Sequence, residues 1–257
     1  MASDAGATEG LSAGRGDPIQ MLWIGELTNL ERLAMASFVA NGHEVHLHAY
    51  AEMEAVPAGV RVIDANTILP EERIFRYGPA AGRAQGSVAN FANLFRYKLL
   101  HERGGWWVDA DVVCLRPFDF EAPYVFGYQD ELINNAVLRL PGSSDISRSL
   151  YEDALALGTD TKHARTGPVL MTEAVTKFGL QEFALAPKAF YPIRHQYGVF
   201  LLKADSRDGL LANSLRDSYA VHFWHEFIRR MGFDKNATYP ATSIYETLKA
   251  RYGITNP

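Results

Sequence analysis

Two aspartates separated by a single residue carry the clearest chemical signal in this sequence. Asp109 and Asp111 lie in the otherwise apolar run GGWWVDADVVC, residues 104–114. On a continuous strand their side chains would share one face, about 7 Å apart. Two carboxylates in apolar surroundings are costly unless a positive charge compensates them. Because hard divalent cations prefer carboxylate oxygens, the pair predicts a metal site whose shell is completed by the phosphates of a substrate. The alternative is a solvated strand end.

The elements on either side of the pair would hold it in place. Apolar residues recur at steps of three and four along residues 88–99, which predicts a helix with one buried face. Gly104 and Gly105 then end that helix, since glycine takes left-handed conformations without steric cost. Residues 106–114 alternate as a β-strand does. The sequence thus predicts a helix, a glycine stop and a strand that presents both aspartates.

A second candidate site lies near the start of the chain. Residues 19–25 read as a strand, Thr28 and Glu31 are spaced as a capping box for a helix, and residues 44–50 alternate as a strand with His46 and His48 on its polar face. This βαβ order favours a parallel α/β sheet. Ligands of such sheets bind beyond the carboxyl ends of the strands, which predicts a pocket at residues 23–25, Trp-Ile-Gly.

The rest of the chain adds further elements to the same sheet. Strands are predicted at 60–64, 124–129, 136–140 and 219–223, a loop over the site at 71–87, a helix capped by Asp145, a helix that begins at Pro168, and a last helix capped by Ser243 and Glu246. No repeat or strong linker interrupts them. We therefore expect a disordered leader at 1–17 and a single domain at 18–257.

Composition excludes several classes of protein. The 257 residues carry a net charge of −5, which argues against a nucleic-acid partner. Cys114 is the only cysteine, so neither an intramolecular disulfide nor a cysteine zinc cluster can form. No apolar run has the roughly 20 residues of a membrane span, and the N-terminus lacks the apolar core of a signal peptide. These features predict a soluble cytoplasmic protein, with peripheral contact at the inner membrane face left open.

Several segments together resemble one enzyme family. The runs NLFRY at 93–97 and GGWWVDAD at 104–111 resemble the signature of the DXD-motif sugar transferases of glycosyltransferase family 32. This group includes the Och1-like mannosyltransferases, the α-1,4-glycosyltransferases and the catalytic domains of the clostridial glucosylating toxins. The match extends to WIG at 23–25, TGP at 166–168 and AVHFW at 220–224, in the family's order. Asn93 stands where the family more often has aspartate, Trp107 stands where it has tyrosine, and the segment after Trp224 departs from the pattern.

The resemblance implies a fold, a reaction and a set of site residues. It implies a GT-A-type, Rossmann-like fold with a mixed, mainly parallel sheet flanked by helices. It also implies a retaining hexosyltransferase that uses Mn²⁺ or Mg²⁺ and a nucleotide-sugar, with UDP-sugars favoured over GDP-sugars. The acceptor would be a glycan, a glycolipid or a small molecule, as in polysaccharide biosynthesis. Asp109, Asp111 and His222 would bind the metal. Donor-binding residues would be Trp23, Ile24, Gly25, Asn93, Arg96, Trp107, Asp109, Asn135, Thr166 and Gly167.

The residue that would act at the anomeric carbon is less well defined. A retaining transferase needs a polar or carboxylate group there, to stabilise an oxocarbenium-like state or to act as nucleophile. Asp130, in the loop after the metal strand, is the candidate, and a solvated loop is the alternative for it. Front-face attack and a covalent intermediate both stay open.

Two other functions also fit the motif. The run DADVV, 109–113, also matches the D-x-D-x-[TV] motif of haloacid-dehalogenase phosphohydrolases, although that family places it on the first strand and adds a later acidic pair that is missing here. A transferase relative that binds nucleotide-sugar without turnover is the other alternative.

Overall fold

The computed structural model describes residues 16–206 and 209–256. The first part of the chain forms β1 (Ile19–Leu22), α1 (Asn29–Ala40), β2 (Val45–Ala49), β3 (Val60–Asp64), α2 (Ala89–Arg103), β4 (Gly105–Val108) and β5 (Val112–Cys114). A hairpin and two helices follow, namely β6 (Val125–Gln129), β7 (Leu132–Leu140), α3 (Asp145–Leu157) and α4 (Leu170–Lys177). The last elements are β8 (Ala184–Leu185), α5 (Leu210–Ser214), β9 (Ala220–His222), α6 (His225–Arg230) and α7 (Ile244–Arg251).

A seven-stranded sheet in the order β3-β2-β1-β4-β7-β6-β8 forms the centre of the fold. Strand pairs β3–β2, β2–β1, β1–β4 and β6–β8 are parallel, whereas β4–β7 and β6–β7 are antiparallel. Trp106 packs with residues of α1 on one face, and Trp107 packs with residues of α2 and α4 on the other. This confirms the predicted α/β class: a mixed, mainly parallel sheet flanked by helices.

The opening βαβ unit forms as predicted, with one correction in β2. The backbone N–H of Thr28 donates to the Glu31 carboxylate at 2.9 Å, which completes the capping box of α1. His48 was expected on a polar face, but it is fully buried. The reason is that β2 lies between β1 and β3, and the sheet is covered on the His48 side by α2, whose Phe95 ring meets the imidazole at 5.5 Å.

The predicted strand at 106–114 is wrong in its continuity, because it is broken at the aspartates. β4 ends at Val108, and Asp109 to Asp111 form a turn closed by a hydrogen bond from the Val112 N–H to the Asp109 carbonyl at 3.0 Å. β5 then leaves the main sheet and pairs antiparallel with β9, with Val112 opposite His222. The break brings both aspartates beside the late strand, which a continuous strand in the main sheet would not do.

Other boundaries also differ from the prediction. β7 begins at Leu132 and not at position 136 as predicted, so Asn134 and Asn135 belong to the strand, and only residues 130–131 form the hairpin turn. Ser144, not Asp145, caps α3, because its hydroxyl oxygen accepts the N–H of Ser147. The predicted leader lies outside the described residues except for positions 16–17, where Asp17 accepts a hydrogen bond from Arg139 at 3.0 Å.

The glycine stop after α2 is required by backbone packing. Gly104 has φ +65°, and a Cβ atom there would lie 2.4 Å from the backbone nitrogen of Gly142. The chain can therefore turn from α2 into β4 only with glycine at this position. That turn sets where the aspartates emerge from the sheet.

Candidate active site

A cleft of about 1370 Å³ opens beyond the carboxyl ends of the parallel strands β1 and β4. Its walls include most of the residues expected at a donor site, namely Trp23, Ile24, Asn93, Arg96, Trp107, Asp109, Asp111, Asp130, Asn135, Gly167 and His222. Two of the expected residues do not line it: Gly25 is exposed just beyond Ile24, and Thr166 is buried behind the wall. The cleft lies where parallel α/β sheets bind ligands.

Three metal-ligating side chains meet at the cleft wall. One ligand atom each from Asp109, Asp111 and His222 lie within 4.8 Å of one another. The His222 Nε2 atom is 3.1 Å from both carboxylate oxygens of Asp111, and the backbone N–H of His225 donates to Asp111 Oδ2 at 2.7 Å. The strand break after Val108 and the β5–β9 pairing together create this triad.

The two carboxylates have different electrostatic surroundings. Burial raises the pKa of Asp111, but the adjacent His222 and the His225 N–H outweigh it, so this pKa lies below its usual range. Burial raises the pKa of Asp109 above its ordinary value, and the charge of Arg96 opposes the rise. A divalent cation would favour the ionised form of both groups. Two carboxylates and an imidazole within 4.8 Å therefore fit such an ion.

Arg96 is fixed in the wall between the metal triad and β7. Its Nη2 donates to Asp109 Oδ1 at 2.6 Å, its Nη1 donates to the Asn135 carbonyl at 2.6 Å, and its guanidinium lies 4.9 Å from the Trp107 ring centroid. Asp109 Oδ1 also accepts the Trp107 indole N–H at 2.8 Å. The Nε of Arg96 is buried and has no hydrogen-bond partner among the described residues. A buried donor without a partner is an exception in native structures.

A buried amide network supports this wall from behind. Asn93 donates to the Thr166 hydroxyl at 3.0 Å and accepts from Asn135 at 2.9 Å, while Thr166 donates to Asn90 at 2.7 Å. All four residues of this hydrogen-bonded network are buried. Asn93 and Thr166 thus have their hydrogen bonds within the protein, and Thr166 is in contact with the wall but not with the cleft. Asn90 was not predicted, because a lone asparagine on a helix gives no signal.

Gly167 allows the loop before α4 to approach that network. A Cβ atom at Gly167 would lie 3.2 Å from Asn135 Oδ1, closer than ordinary contacts. The segment Arg165–Val169 therefore packs against α2 and β7 with no side chain between them. A side chain at position 167 would therefore have to displace Asn135.

The start of the chain and the late strand both meet the aspartate turn, as the sequence-based hypothesis requires. Trp23 and Ile24 line the same cleft as Asp109 and Asp111. The ring of Trp23 meets the His225 imidazole edge-on, with centroids 5.4 Å apart. Segments near positions 23, 109 and 222 are thus brought to one place by β1, β4 and β9.

Asp130 lies in the hairpin turn between β6 and β7 and lines the cleft. It has φ +55°, is exposed, and forms an ion pair with Arg194 Nε at 2.7 Å. Several basic and acidic residues of the cleft wall were not predicted from sequence, namely His163, Lys188, Arg194, His195, Glu226 and Arg230. They come from loops and from the short helix α6, and nothing in their spacing marks them.

Comparison with known proteins gives likeness of structure only. No protein-family model matches the chain, and no curated protein matches its sequence. A solved structure titled PaToxG glycosyltransferase is 13% identical with a TM-score of 0.49, covering 95% of this chain and 88% of its own. The apo form of the glycosyltransferase GlyE of Streptococcus pneumoniae TIGR4 is 13% identical with a TM-score of 0.46, and the match covers 93% of this chain but 60% of GlyE. A transferase mutant is 11% identical with a TM-score of 0.43, covering 66% of this chain and 87% of its own.

Across residues 16–206 and 209–256, no helix has the length and apolar character needed to cross a bilayer.

Proposed function

We propose that this protein is a metal-dependent, retaining glycosyltransferase that moves a hexose from a nucleotide-sugar to a hydroxyl acceptor. One observation carries the proposal: Asp109, Asp111 and His222 converge within 4.8 Å at the wall of a cleft that Trp23 and Ile24 also line. A metal ion held by the three side chains would bind a diphosphate, and the aromatic ring beside them would stack on a nucleotide base. UDP-hexoses are favoured over GDP-sugars, and retention is proposed from the family resemblance.

Asp109, Asp111 and His222 would hold Mn²⁺ or Mg²⁺ in this scheme. As a Lewis acid, such an ion offsets the negative charge that develops on the diphosphate when the sugar leaves. Asp111 suits the role of direct ligand, because the protein keeps it ionised through His222 and the His225 N–H. His222 presents Nε2 on the same side as both Asp111 oxygens, which suits an imidazole ligand.

Arg96 would stabilise the donor from the other side of Asp109. Its guanidinium is held at two points by protein oxygens, at 2.6 Å each, so it cannot move freely when charge develops. A hydrogen-bonding group that is already in place before the reaction does not have to reorganise in the transition state. Asn93 and Asn135 complete the wall beneath the sugar.

Trp23 and Ile24 would bind the base of the nucleotide. The indole N–H of Trp23 donates to the Glu26 carbonyl at 2.9 Å, which fixes the ring at the end of β1. A fixed aromatic face offers stacking at a low entropic cost. We propose backbone contacts from Ile24 and Gly25 to the edge of the base.

Asp130 would act at the anomeric carbon, either by stabilising positive charge or as a nucleophile. Its place in the same cleft wall supports this role, and its ion pair with Arg194 holds the carboxylate there. The volume of the cleft, about 1370 Å³, also leaves room for an acceptor beside the donor. We propose a glycan, glycolipid or small-molecule acceptor and work in the cytoplasm or at the inner membrane face.

A donor screen tests the proposal directly. Purified protein is incubated with UDP-glucose, UDP-galactose, UDP-N-acetylglucosamine or GDP-mannose, with Mn²⁺ or with a chelator, and released nucleotide is measured. We expect release from at least one UDP-sugar with Mn²⁺, and loss of that release with chelator. Phosphate release from simple phosphomonoesters with no action on any nucleotide-sugar would instead point to the phosphohydrolase alternative. Nuclear magnetic resonance of the product gives the anomeric configuration.

A further inference from the structure

A lysine far along the chain lies directly behind the proposed donor site. The side chain of Lys235 is 12% exposed, and the residue does not line the cleft. Its ammonium group contacts three groups from three different segments: Glu31 of α1, His225 of α6 and the Trp23 ring after β1. Two of these, Trp23 and His225, do line the cleft.

The Glu31 carboxylate explains why a charged group is placed there. Glu31 is fully buried, and its Oε2 already accepts the Thr28 N–H of the capping box. Its Oε1 accepts the Lys235 ammonium at 2.6 Å. A buried carboxylate without a counter-charge would be strongly destabilising, so the pair fixes the position of the Lys235 ammonium.

The contact with His225 sets how that imidazole faces the cleft. The Lys235 Nζ atom lies 2.9 Å from His225 Nδ1. An ammonium group has only donors, so Nδ1 accepts and a neutral His225 carries its proton on Nε2. The backbone N–H of the same residue donates to Asp111 at 2.7 Å. The orientation of His225 is therefore linked to both the lysine and the metal triad.

The contact with Trp23 completes the arrangement. The Lys235 Nζ atom lies 4.9 Å from the Trp23 ring centroid, within the range of a cation–π interaction. The Lys235 carbonyl accepts the Tyr245 hydroxyl at 2.6 Å, which anchors the backbone of the segment. A single ammonium group thus holds the aromatic platform and the histidine beside it.

We infer that Lys235, held by Glu31, is a positioning residue that fixes Trp23 and His225 for binding of the nucleotide. This inference rests on the proposed function, and it gives a role to the segment that follows Trp224. Lys235 touches neither metal nor donor in this scheme. It acts through the two cleft residues that it supports.

The test compares variants by binding and not by activity alone. UDP and Mn²⁺ are titrated calorimetrically into wild type, Lys235→Met and Lys235→Arg. We expect Lys235→Met to weaken UDP binding by about tenfold or more, by analogy with the loss seen when the partners of metal-ligating residues are removed. Lys235→Arg keeps a cation and should recover part of the loss. In activity assays the change should appear in KM for the donor more than in kcat.

A double variant guards against failure to fold. Lys235→Met alone leaves the Glu31 charge buried and unpaired, whereas Glu31→Gln together with Lys235→Met leaves neither charge. The double variant should fold and still bind UDP at least about tenfold more weakly than wild type.

Lys249 is a matched control. It is also a buried lysine, 3% exposed, paired with Glu246 at 2.9 Å and 5.1 Å from the Tyr245 ring centroid. It makes no contact with Trp23 or His225, so Lys249→Met should lower the melting temperature without changing UDP affinity.

A second readout works without any ligand. Nitrogen-15 spectra of His225 should show the proton on Nε2 in wild type and a mixture of tautomers in Lys235→Met. Unchanged UDP affinity in Lys235→Met and in the double variant, or the proton on Nδ1 in wild type, would overturn the positioning role. Absence of UDP binding by wild type would count against the proposed function, and the tautomer would then decide the role of Lys235.

Discussion

At the scale of single residues, the two aspartates suit different roles because their neighbours differ. Asp111 faces His222 and the His225 N–H, and Asp109 faces Arg96 and the Trp107 indole. The partners of Asp111 leave its carboxylate oxygens beside the imidazole of His222. The partners of Asp109 tie its carboxylate to the guanidinium of Arg96. The D-x-D spacing alone would not distinguish these two roles.

Replacing Arg96 with lysine should impair turnover strongly. Lysine keeps the charge but cannot bridge Asp109 and the Asn135 carbonyl as the guanidinium does. Removing one preorganised donor typically costs about 10²–10³ in kcat, and we expect a loss of that order for Arg96→Lys. Arg103→Lys is the control: it lies on the same helix but is exposed and contacts Thr67. Steady-state kinetics on the active donor measures both, and equal kinetics for the two variants would contradict the role of Arg96.

Replacing Asp130 with asparagine should lower kcat while leaving donor binding intact. The change removes a negative charge from the cleft wall but keeps the size of the side chain. A contribution from charge stabilisation predicts a loss of about 10²-fold or more. Glu131→Gln is the neighbouring control, since Glu131 also lines the cleft. If both variants retain wild-type kcat, Asp130 is part of a solvated turn and another group acts at the anomeric carbon.

At the scale of elements, the turn between α2 and β4 sets the position of the candidate metal site. Gly104 and Gly158 both follow a helix and have similar backbone angles, φ +65° and ψ −162° against φ +71° and ψ −161°. A Cβ atom at Gly104 would meet Gly142 at 2.4 Å, whereas a Cβ atom at Gly158 would meet nothing within 4 Å. Comparing an alanine substitution at each of the two positions therefore separates the cost of backbone strain from the cost of the steric clash.

Gly104→Ala should therefore destabilise the fold more than Gly158→Ala. Strain at such angles costs about 1–3 kcal/mol for either variant, and the clash adds to it only at Gly104. Chemical denaturation gives the free energy of unfolding of each variant. Equal losses would mean that the Gly104–Gly142 approach relaxes without cost.

Local signals in the sequence were enough to predict several elements. The capping box at Thr28 and Glu31, the glycine after α2 and the strand at 60–64 all depend on residues close together in the chain, and all were confirmed. The strand break at Asp109 was missed because alternation continues through it. The reason for the break lies in β9, about a hundred residues later, whose pairing with β5 draws the chain out of the main sheet.

The residues of the candidate site show the same difference between signals that are local in the sequence and contacts that only the fold creates. The aspartates, Arg96 and Trp23 were found from a motif that is contiguous or ordered along the chain, and all of them line the cleft. The pairing of Lys235 with Glu31 was not found, because the two residues are separated by 204 positions and only the fold joins them. The capping box predicted Glu31 only as a residue at the start of a helix, and Lys235 belongs to no recognisable pattern.

At the scale of the whole molecule, buried histidine should make stability depend on pH. Burial lowers the pKa of His48 from 6.5 to about 3, and Arg103 and His46 add to the effect. Below pH 6.5 the unfolded chain takes up a proton that the folded chain does not. The free energy of unfolding should therefore fall as the pH drops from 6.5 towards 3, by about 1.4 kcal/mol per pH unit from this residue.

A His48→Gln variant isolates that contribution. Its free energy of unfolding should fall less steeply between pH 6.5 and 5 than that of wild type, since glutamine does not titrate. Denaturation curves at several pH values give both slopes. Identical slopes would show that His48 takes up its proton in the folded state as readily as in the unfolded chain.

The whole molecule also brings segments from three parts of the chain to one cleft, and metal-dependent binding of a nucleotide is the central claim about it. Calorimetric titration of UDP into the protein with Mn²⁺ and without it, for wild type and for Asp111→Asn, is the most direct test. Wild type should bind UDP with Mn²⁺ and far more weakly without it, and Asp111→Asn should lose the difference. UDP binding that ignores both Mn²⁺ and the substitution, or no binding of UDP or any nucleotide-sugar at all, would contradict the account.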